Sequence, residues 1–225
     1  VHERQAPDRP GKGPALQWLL ERLWRSGEAH DAVVFVDADT IISPNFLRAA
    51  DARLAAGAKV LQAYYSVRDV ERSYAVALRY AALAALHYLR PMGRMSLGGS
   101  AGLKGNGMVF EAETLRGLSW SESVTEDIQL HMDLLLDGGR VEFVPEAVVW
   151  GEMPESLERS RTQHARWETG RLELARRYVP ILLQEAVRRL RAGDFRGAFR
   201  FFDAAMEHVI PPLSCLLYTS DAADE

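Results

Sequence analysis

Ala32-Val33-Val34-Phe35-Val36 is an unbroken apolar run that stops on Asp37-Ala38-Asp39, and no other feature limits the possible folds so tightly. A Val-rich run without polar alternation reads as a strand buried on both faces, as in parallel sheets covered by helices. The carboxyl ends of such strands are where open α/β sheets bind ligands. Two carboxylates one residue apart repel each other, and a divalent cation relieves the repulsion. The pair also suits a plain turn, because Asp hydrogen-bonds its own backbone readily.

Strand and helix signals alternate along the rest of the chain. Pro14 to Arg25 carries Leu16, Leu19, Leu20, Leu23 and Trp24 at helical spacing, and Pro44 opens a helix to about Ala56. Lys59 to Tyr65 reads as a strand, Ser73 to Leu89 as a helix, and Pro91 to Gly107 as a glycine-laden loop. Met108 to Phe110 is a short strand, and Thr125 starts a helix that ends at Gly138-Gly139. Arg140 to Val144 and Ala147 to Trp150 read as strands, and from about Glu155 the chain is helical and arginine-rich. This order predicts an α/β domain with a mixed, mostly parallel sheet. No internal repeat is visible.

Composition excludes the extreme classes. With 48% hydrophobic and 26% charged residues and a mean hydropathy of -0.16, the chain is globular. Of 27 basic residues only Lys12, Lys59 and Lys104 are lysine, which with the abundant Ala points to a GC-rich bacterial genome. No nucleic-acid-reading motif accompanies the arginines. The sequence shows neither a signal peptide nor an apolar run long enough to span a bilayer. His2 to Gly13 is polar, with Pro7, Pro10, Gly11 and Gly13, and reads as a loop entered in mid-domain. Residues 215–225 match a translated sequencing-library adapter and are set aside as read-through. Without them the only cysteine goes, and losing Asp221, Asp224 and Glu225 moves the formal charge from -4 to -1. The protein is then expected to continue past Ser214. The expected organisation is a partial catalytic domain at 1–154, helices at 155–214, and the adapter at 215–225.

Two further motifs carry chemistry. Thr125-Glu126-Asp127 precedes an amphipathic helix, where Thr125 would cap and the acids would meet the positive first turn. In a cleft, Asp127 is placed to act as a general base. Gln163, Arg166 and Trp167 fall at i, i+3 and i+4, so they share one helical face. A guanidinium fork beside a flat aromatic suits a phosphate next to a sugar ring, though a core Trp with a snorkelling Arg has the same spacing.

Asp37-Ala38-Asp39, Thr125-Glu126-Asp127 and Gln163-His164-Ala165-Arg166-Trp167 resemble, in order and spacing, the D-x-D, T/E-E-D and Q-x-x-R-W signature of family-2 glycosyltransferases, the group of cellulose, chitin and hyaluronan synthases. Residues 9–16, 105–110 and 140–147 are similar to that family's lysine-containing loop, acceptor-side segment and post-TED strand. The resemblance implies a glycosyltransferase A-type, Rossmann-like fold, truncated at its amino end, with membrane-interface helices at the carboxyl end. It implies that Asp37 lies near the nucleotide's ribose and that Asp39 ligates Mg²⁺ or Mn²⁺ on the diphosphate. Asp127 becomes the base that deprotonates an acceptor hydroxyl for an inverting attack, beside Glu126. Arg166 would hold the diphosphate, Gln163, Trp167 and Asn106 would shape the acceptor end, and Lys12 would contact the nucleotide. The implied partners are a nucleotide-sugar, expected to be a UDP-sugar, a saccharide or lipid-linked acceptor, and a membrane surface. The implied place is the cytoplasmic face of a bacterial inner membrane, in polysaccharide synthesis.

Departures accompany the resemblance. Pro14 stands where a second Lys is common, and Glu111 where an Arg is frequent. The first uracil-binding Asp would precede Val1, so the chain alone is expected to be inactive. Arg159 to Arg200 contains eleven Arg and no Lys, with apolar residues at near-helical spacing, which suits anionic lipid. Two alternatives remain at this point. Val33 to Thr40 also fits the nucleophile strand of haloacid-dehalogenase-type phosphatases, with Asp37 as nucleophile, Asp39 as acid/base and Lys104 as the later lysine, but without their downstream acidic pair. The other is a glycosyltransferase-like domain that binds nucleotide without catalysis.

Overall fold

The computed structural model describes residues 2–5, 11–118, 120, 125–151 and 157–209, with the side chains of residues 75, 79 and 157–169 outside that description. Five strands, β1 (Ala32–Phe35), β2 (Ile41–Ile42), β3 (Val60–Val67), β4 (Met108–Glu111) and β5 (Val141–Gly151), form one sheet in the order β1-β4-β3-β5-β2. Around it lie α1 (Lys12–Arg25), α2 (Phe46–Ala55), α3 (Tyr74–Ala84), α4 (Arg90–Ser96), α5 (Ala112–Arg116), α6 (Glu126–Leu136), α7 (Leu157–Arg191) and α8 (Phe195–Val209).

The sheet is mixed, as expected, but its parallel character differs from the sequence reading. Only β3 and β5 pair in parallel, while β1–β4, β3–β4 and β2–β5 are antiparallel. Because β4 runs against both of its neighbours, β1, β3 and β5 all point the same way. The strands joined by helical crossovers are thus co-directional, and β4 is threaded between two of them by the glycine-rich segment before it. Pairing order follows that insertion, which no local signal encodes.

Two element boundaries also differ. The expected strands at 140–144 and 147–150 are one strand, β5, and its pairing with β3 jumps from Val144 opposite Ala63 to Val148 opposite Tyr64. Pro145 sits in that irregularity, where its missing N–H costs no ladder bond. The loop expected from Pro91 contains a helix instead. Residues Ala85–Leu89 widen into a π-turn that runs on into α4, with Pro91 in the first turn of α4. The wider turn removes the demand for the amide that proline lacks.

Packing explains why the helices stay where they are. Leu20 of α1, Phe35, Val60, Met108, Phe110, Leu130 and Phe143 form one core across the sheet. Phe46 and Ala50 of α2 cover its other face against Leu61, Val109 and Val149. Leu174, Tyr178, Leu182 and Ala186 make one stripe of α7, packed on Met132 and Leu135 of α6 and on Phe201, Ala204 and Ala205 of α8. Tyr178 Oη donates to Asp133 Oδ1 at 2.6 Å, which fixes α7 along α6. Among the described residues no helix is long and apolar enough to cross a membrane.

Candidate active site

The site forms at the carboxyl end of β1, where Asp37 leaves the sheet. Asp37 and Asp39 flank a tight turn, closed by the Thr40 amide donating to the Asp37 carbonyl at 3.1 Å. Asn106 braces it. Its Oδ1 accepts the Asp37 amide at 3.2 Å and its Nδ2 donates to Thr40 Oγ1 at 2.8 Å. Asn106 is fully buried, so it shapes the turn from below. Lys12, at the start of α1, donates to Asp37 Oδ1 at 2.6 Å and to the Gly105 carbonyl at 2.8 Å. Both partners are over a third exposed, so the ion pair contributes only about 0–1 kcal/mol and is easily exchanged for a ligand.

Asp127 stands at the amino end of α6, and its Oδ1 accepts the Ile128 amide at 2.9 Å. A Cβ built on Gly105 would lie 3.4 Å from Asp127 Oδ2 and 3.9 Å from Lys12 Nζ. Gly105 therefore forms the partition between the base candidate and the Asp37 turn, and it does so with φ near +73°, which favours glycine. Burial pushes the Asp127 carboxyl above the usual aspartate range, against the Ile128 amide and the charges of Lys104 and Lys12. Burial also raises Glu126, with Asp127 and Asp37 adding to it. Glu126 is 8% exposed and points inward. Burial raises the Tyr65 phenol as well, and the charges of Asp37 and Asp39 push it the same way, which brings Tyr65 into the site's field.

Gln163, Arg166 and Trp167 lie in the first half of α7, and their side chains fall outside the described residues. The helix itself is informative. A Cβ on Gly170, three residues beyond Trp167, would come within 3.1 Å of Thr125 Cγ2 and Oγ1. The backbone of α7 thus passes directly over the cap of the Thr125-Glu126-Asp127 helix.

Sequence reasoning missed Gln62. This residue is 1% exposed in β3, and its Nε2 donates to the carbonyls of Asn106 at 2.8 Å and Ala63 at 2.9 Å, while its Oε1 accepts the Lys104 amide at 2.9 Å. The signal was a lone amide inside the apolar run Val60-Leu61-Gln62-Ala63. Gln62→Met keeps the volume but leaves those backbone groups unpaired. It should cost about 1–3 kcal/mol of stability by chemical denaturation. An unchanged midpoint would show that the loop holds without it.

Metal binding can be judged from the donor set. Among the described residues no three His, Cys, Asp or Glu side chains converge. That excludes an all-protein cage there, but Mg²⁺-type ions bind nucleotides through one or two carboxylates, the phosphates and water. Asp39 is exposed and, among the described residues, the Asp37 carboxylate carries the exchangeable Lys12 pair alone, so the two residues fit an ion of that kind.

A carboxylate-bearing turn, a partly buried acid across a glycine partition and a helix laid over the start of that acid's helix are thus brought together. The family model described as glycosyl transferase family group 2 matches residues 32–218. The chain belongs to this family. That membership sets the phosphatase alternative aside. The structure of a mannosyltransferase from Pyrobaculum calidifontis, in complex with GDP-Man and Mn²⁺, is 18% identical, with a TM-score of 0.45. The match covers 96% of this glycosyltransferase chain and 61% of that protein. No curated protein matches the chain.

Proposed function

We propose that this chain carries the centre of an inverting glycosyltransferase that moves a sugar from a nucleotide-sugar, of the UDP-sugar class, to a saccharide or lipid-linked acceptor. The observation behind this is the placement of Asp127 across Gly105 from the Lys12–Asp37 pair. The acceptor hydroxyl gives its proton to Asp127 as its oxygen attacks the anomeric carbon. The bond from that carbon to the diphosphate breaks on the opposite face, and the configuration inverts. Lys12, released from Asp37, meets the departing phosphates, and Arg166 of α7 is assigned to the same diphosphate. Gln163 and Trp167 are assigned to the acceptor end, while Asn106, expected from the sequence to contact substrate there, is buried and contributes only by bracing the Asp37 turn. When bound at Asp39, Mg²⁺ or Mn²⁺ neutralises charge on the leaving nucleoside diphosphate.

The test follows nucleoside diphosphate release from a panel of UDP- and GDP-sugars by the full-length protein, since this chain alone is expected to be inactive. Release from one donor should fall by about 10²–10³-fold on chelation or in Asp39→Asn, the scale of losing one charge-stabilising contact. Release that ignores both would remove the metal from the reading. No release from any donor, with varied acceptors and folded protein, would favour a binding-only domain.

Membrane-surface association and a role in polysaccharide synthesis complete the proposal. Leu172, Val187 and Leu190 of α7 and Phe195, Phe202 and Val209 of α8 are exposed apolar residues. Exposed Arg176, Arg177, Arg188, Arg191 and Arg196 stand among them. An apolar face with arginines suits the headgroup region of anionic lipid, here the cytoplasmic leaflet of a bacterial inner membrane.

A further inference from the structure

The carboxyl-terminal helix sends two acids toward the active-site loop. Arg94 of α4 donates through Nε to Asp203 Oδ2 at 2.6 Å and through Nη1 to Glu207 Oε2. Lys104 Nζ donates to Glu207 Oε1 at 3.3 Å, and Arg171 of α7 donates to the Glu207 carbonyl. The side chains of Arg94 and Glu207 are 5% and 9% exposed. Burying such charges gains little stability over an apolar contact, while removing one partner strands the others. A cluster of this kind is better suited to fixing geometry than to adding stability.

What it fixes is the segment from Gly99 to Gly107. At its start, the Gly99 amide donates to the Arg94 carbonyl at 2.8 Å, and a Cβ there would meet Asp203 Oδ2 at 2.9 Å. In the middle, a Cβ on Gly102 would lie 3.5 Å from both Glu207 Oε2 and Lys104 Nζ. Lys104 is held at two points, its amide by Gln62 and its ammonium by Glu207. The next two residues are Gly105, whose carbonyl holds Lys12, and Asn106, which braces Asp37 and Thr40. The path from α8 to the Asp37 turn is therefore continuous and short.

We propose that Glu207 is a positioning residue of the donor site, acting through Lys104 and Arg94 on the 99–107 segment and thereby on Asp37 and Asn106. The inference rests on the nucleotide-sugar reading of that site. It makes the lie of α8 an input to donor affinity, because any displacement of Glu207 moves the partner of Lys104.

Glu207→Gln in the full chain keeps the shape and removes the charge. The dissociation constant for UDP or GDP with Mn²⁺, read by calorimetry, should rise about 10–100-fold, as for groups that orient ligand-binding side chains. The loss should appear chiefly in donor affinity and in KM, with a smaller change in kcat. Amide exchange across residues 101–107 should quicken in the same variant. Lys104→Met should reproduce the affinity loss, and the double variant should be no worse than either single one. A lowered melting temperature with unchanged affinity and unchanged exchange would reduce Glu207 to a structural role. If Glu207→Gln does not fold, Lys104→Met with unchanged affinity and exchange overturns the proposal equally. Should the wild type bind no nucleoside diphosphate, the nucleotide reading falls, and exchange at 101–107 then decides the coupling alone.

Discussion

Asp127→Asn should lower turnover by about 10²–10⁴-fold, the range for removing a positioned general base. Donor affinity should survive, because Asp37, Asp39 and Lys12 do not depend on that carboxylate for their contacts. The wild-type pH profile carries the same signature. A base must be ionised to work, and burial raises the Asp127 pKa, so kcat/KM should fall on acidification at a pH above the ordinary aspartate range. The stability sign is opposite to the catalytic one. A raised native pKa means that the folded chain binds this proton more tightly than the unfolded chain does. Ionisation therefore costs stability as pH climbs from the unfolded value through the native one, and the cost persists at neutral pH. Asp127→Asn removes it, so the inactive variant should melt at the same or a higher temperature. A variant that loses both activity and stability would place Asp127 among the structural residues.

Glu207 titrates in the other direction. Burial alone would raise it, but Lys104 and Arg94 outweigh that and hold it well below the ordinary glutamate range. Its contribution is present above the unfolded pKa and is lost as pH falls through the native one. Acid should therefore loosen the α8 contact while it relieves the strain of charge at Asp127.

Gly107→Ala should destabilise the fold by about 2–4 kcal/mol, the sum of overpacking and of left-handed backbone in an L-residue. Gly107 has φ near +68°, and a Cβ there would lie 2.9 Å from Val149 Cγ2 and 3.1 Å from Ala63 Cβ. Its amide donates to the Phe35 carbonyl at 2.9 Å and its carbonyl accepts the Ala63 amide at 2.8 Å, so it joins β1 to β3 at the mouth of β4. No flexible side-chain tip is available to move aside, since both obstacles are short branched or methyl groups of central strands. Denaturant midpoints give the loss, and donor affinity should fall with it because Asn106 is the neighbouring residue. A fully stable Gly107→Ala chain would mean that β4 can shift within the sheet.

Much of this architecture is written locally. The apolar run ending at Asp37, the acids of Thr125-Glu126-Asp127 and the helical spacing of Leu16 to Trp24 each encode their element and its approximate ends, although Thr125 stands at the start of α6 without the side-chain capping bond expected of it. They do so because hydrophobic period and charge at a helix start act over a few residues. The order of three short motifs further marked the family, to which the family model assigns residues 32–218. Other features are silent in one dimension. Pro91 signals a break, yet a π-turn before it lets the helix continue, and that depends on packing over β3, where His87 stacks on Tyr65. Arg94, Lys104, Asp203 and Glu207 are scattered charges in the sequence and a buried cluster in the fold.

Most of the strands and helices, and the acids at the ends of β1 and α6, could be read from the residues alone, whereas β2, α4, α5 and the continuity of β5 could not. Periodicity and the repulsion of neighbouring carboxylates are short-range, and they leave their mark wherever the residues occur. Tertiary structure alone decided that β4 enters between β1 and β3, that α7 crosses the cap of α6 at Gly170, and that Glu207 reaches Lys104 from more than a hundred positions away. Those outcomes come from competition among distant surfaces for burial, and from the need to pair every charge that burial traps.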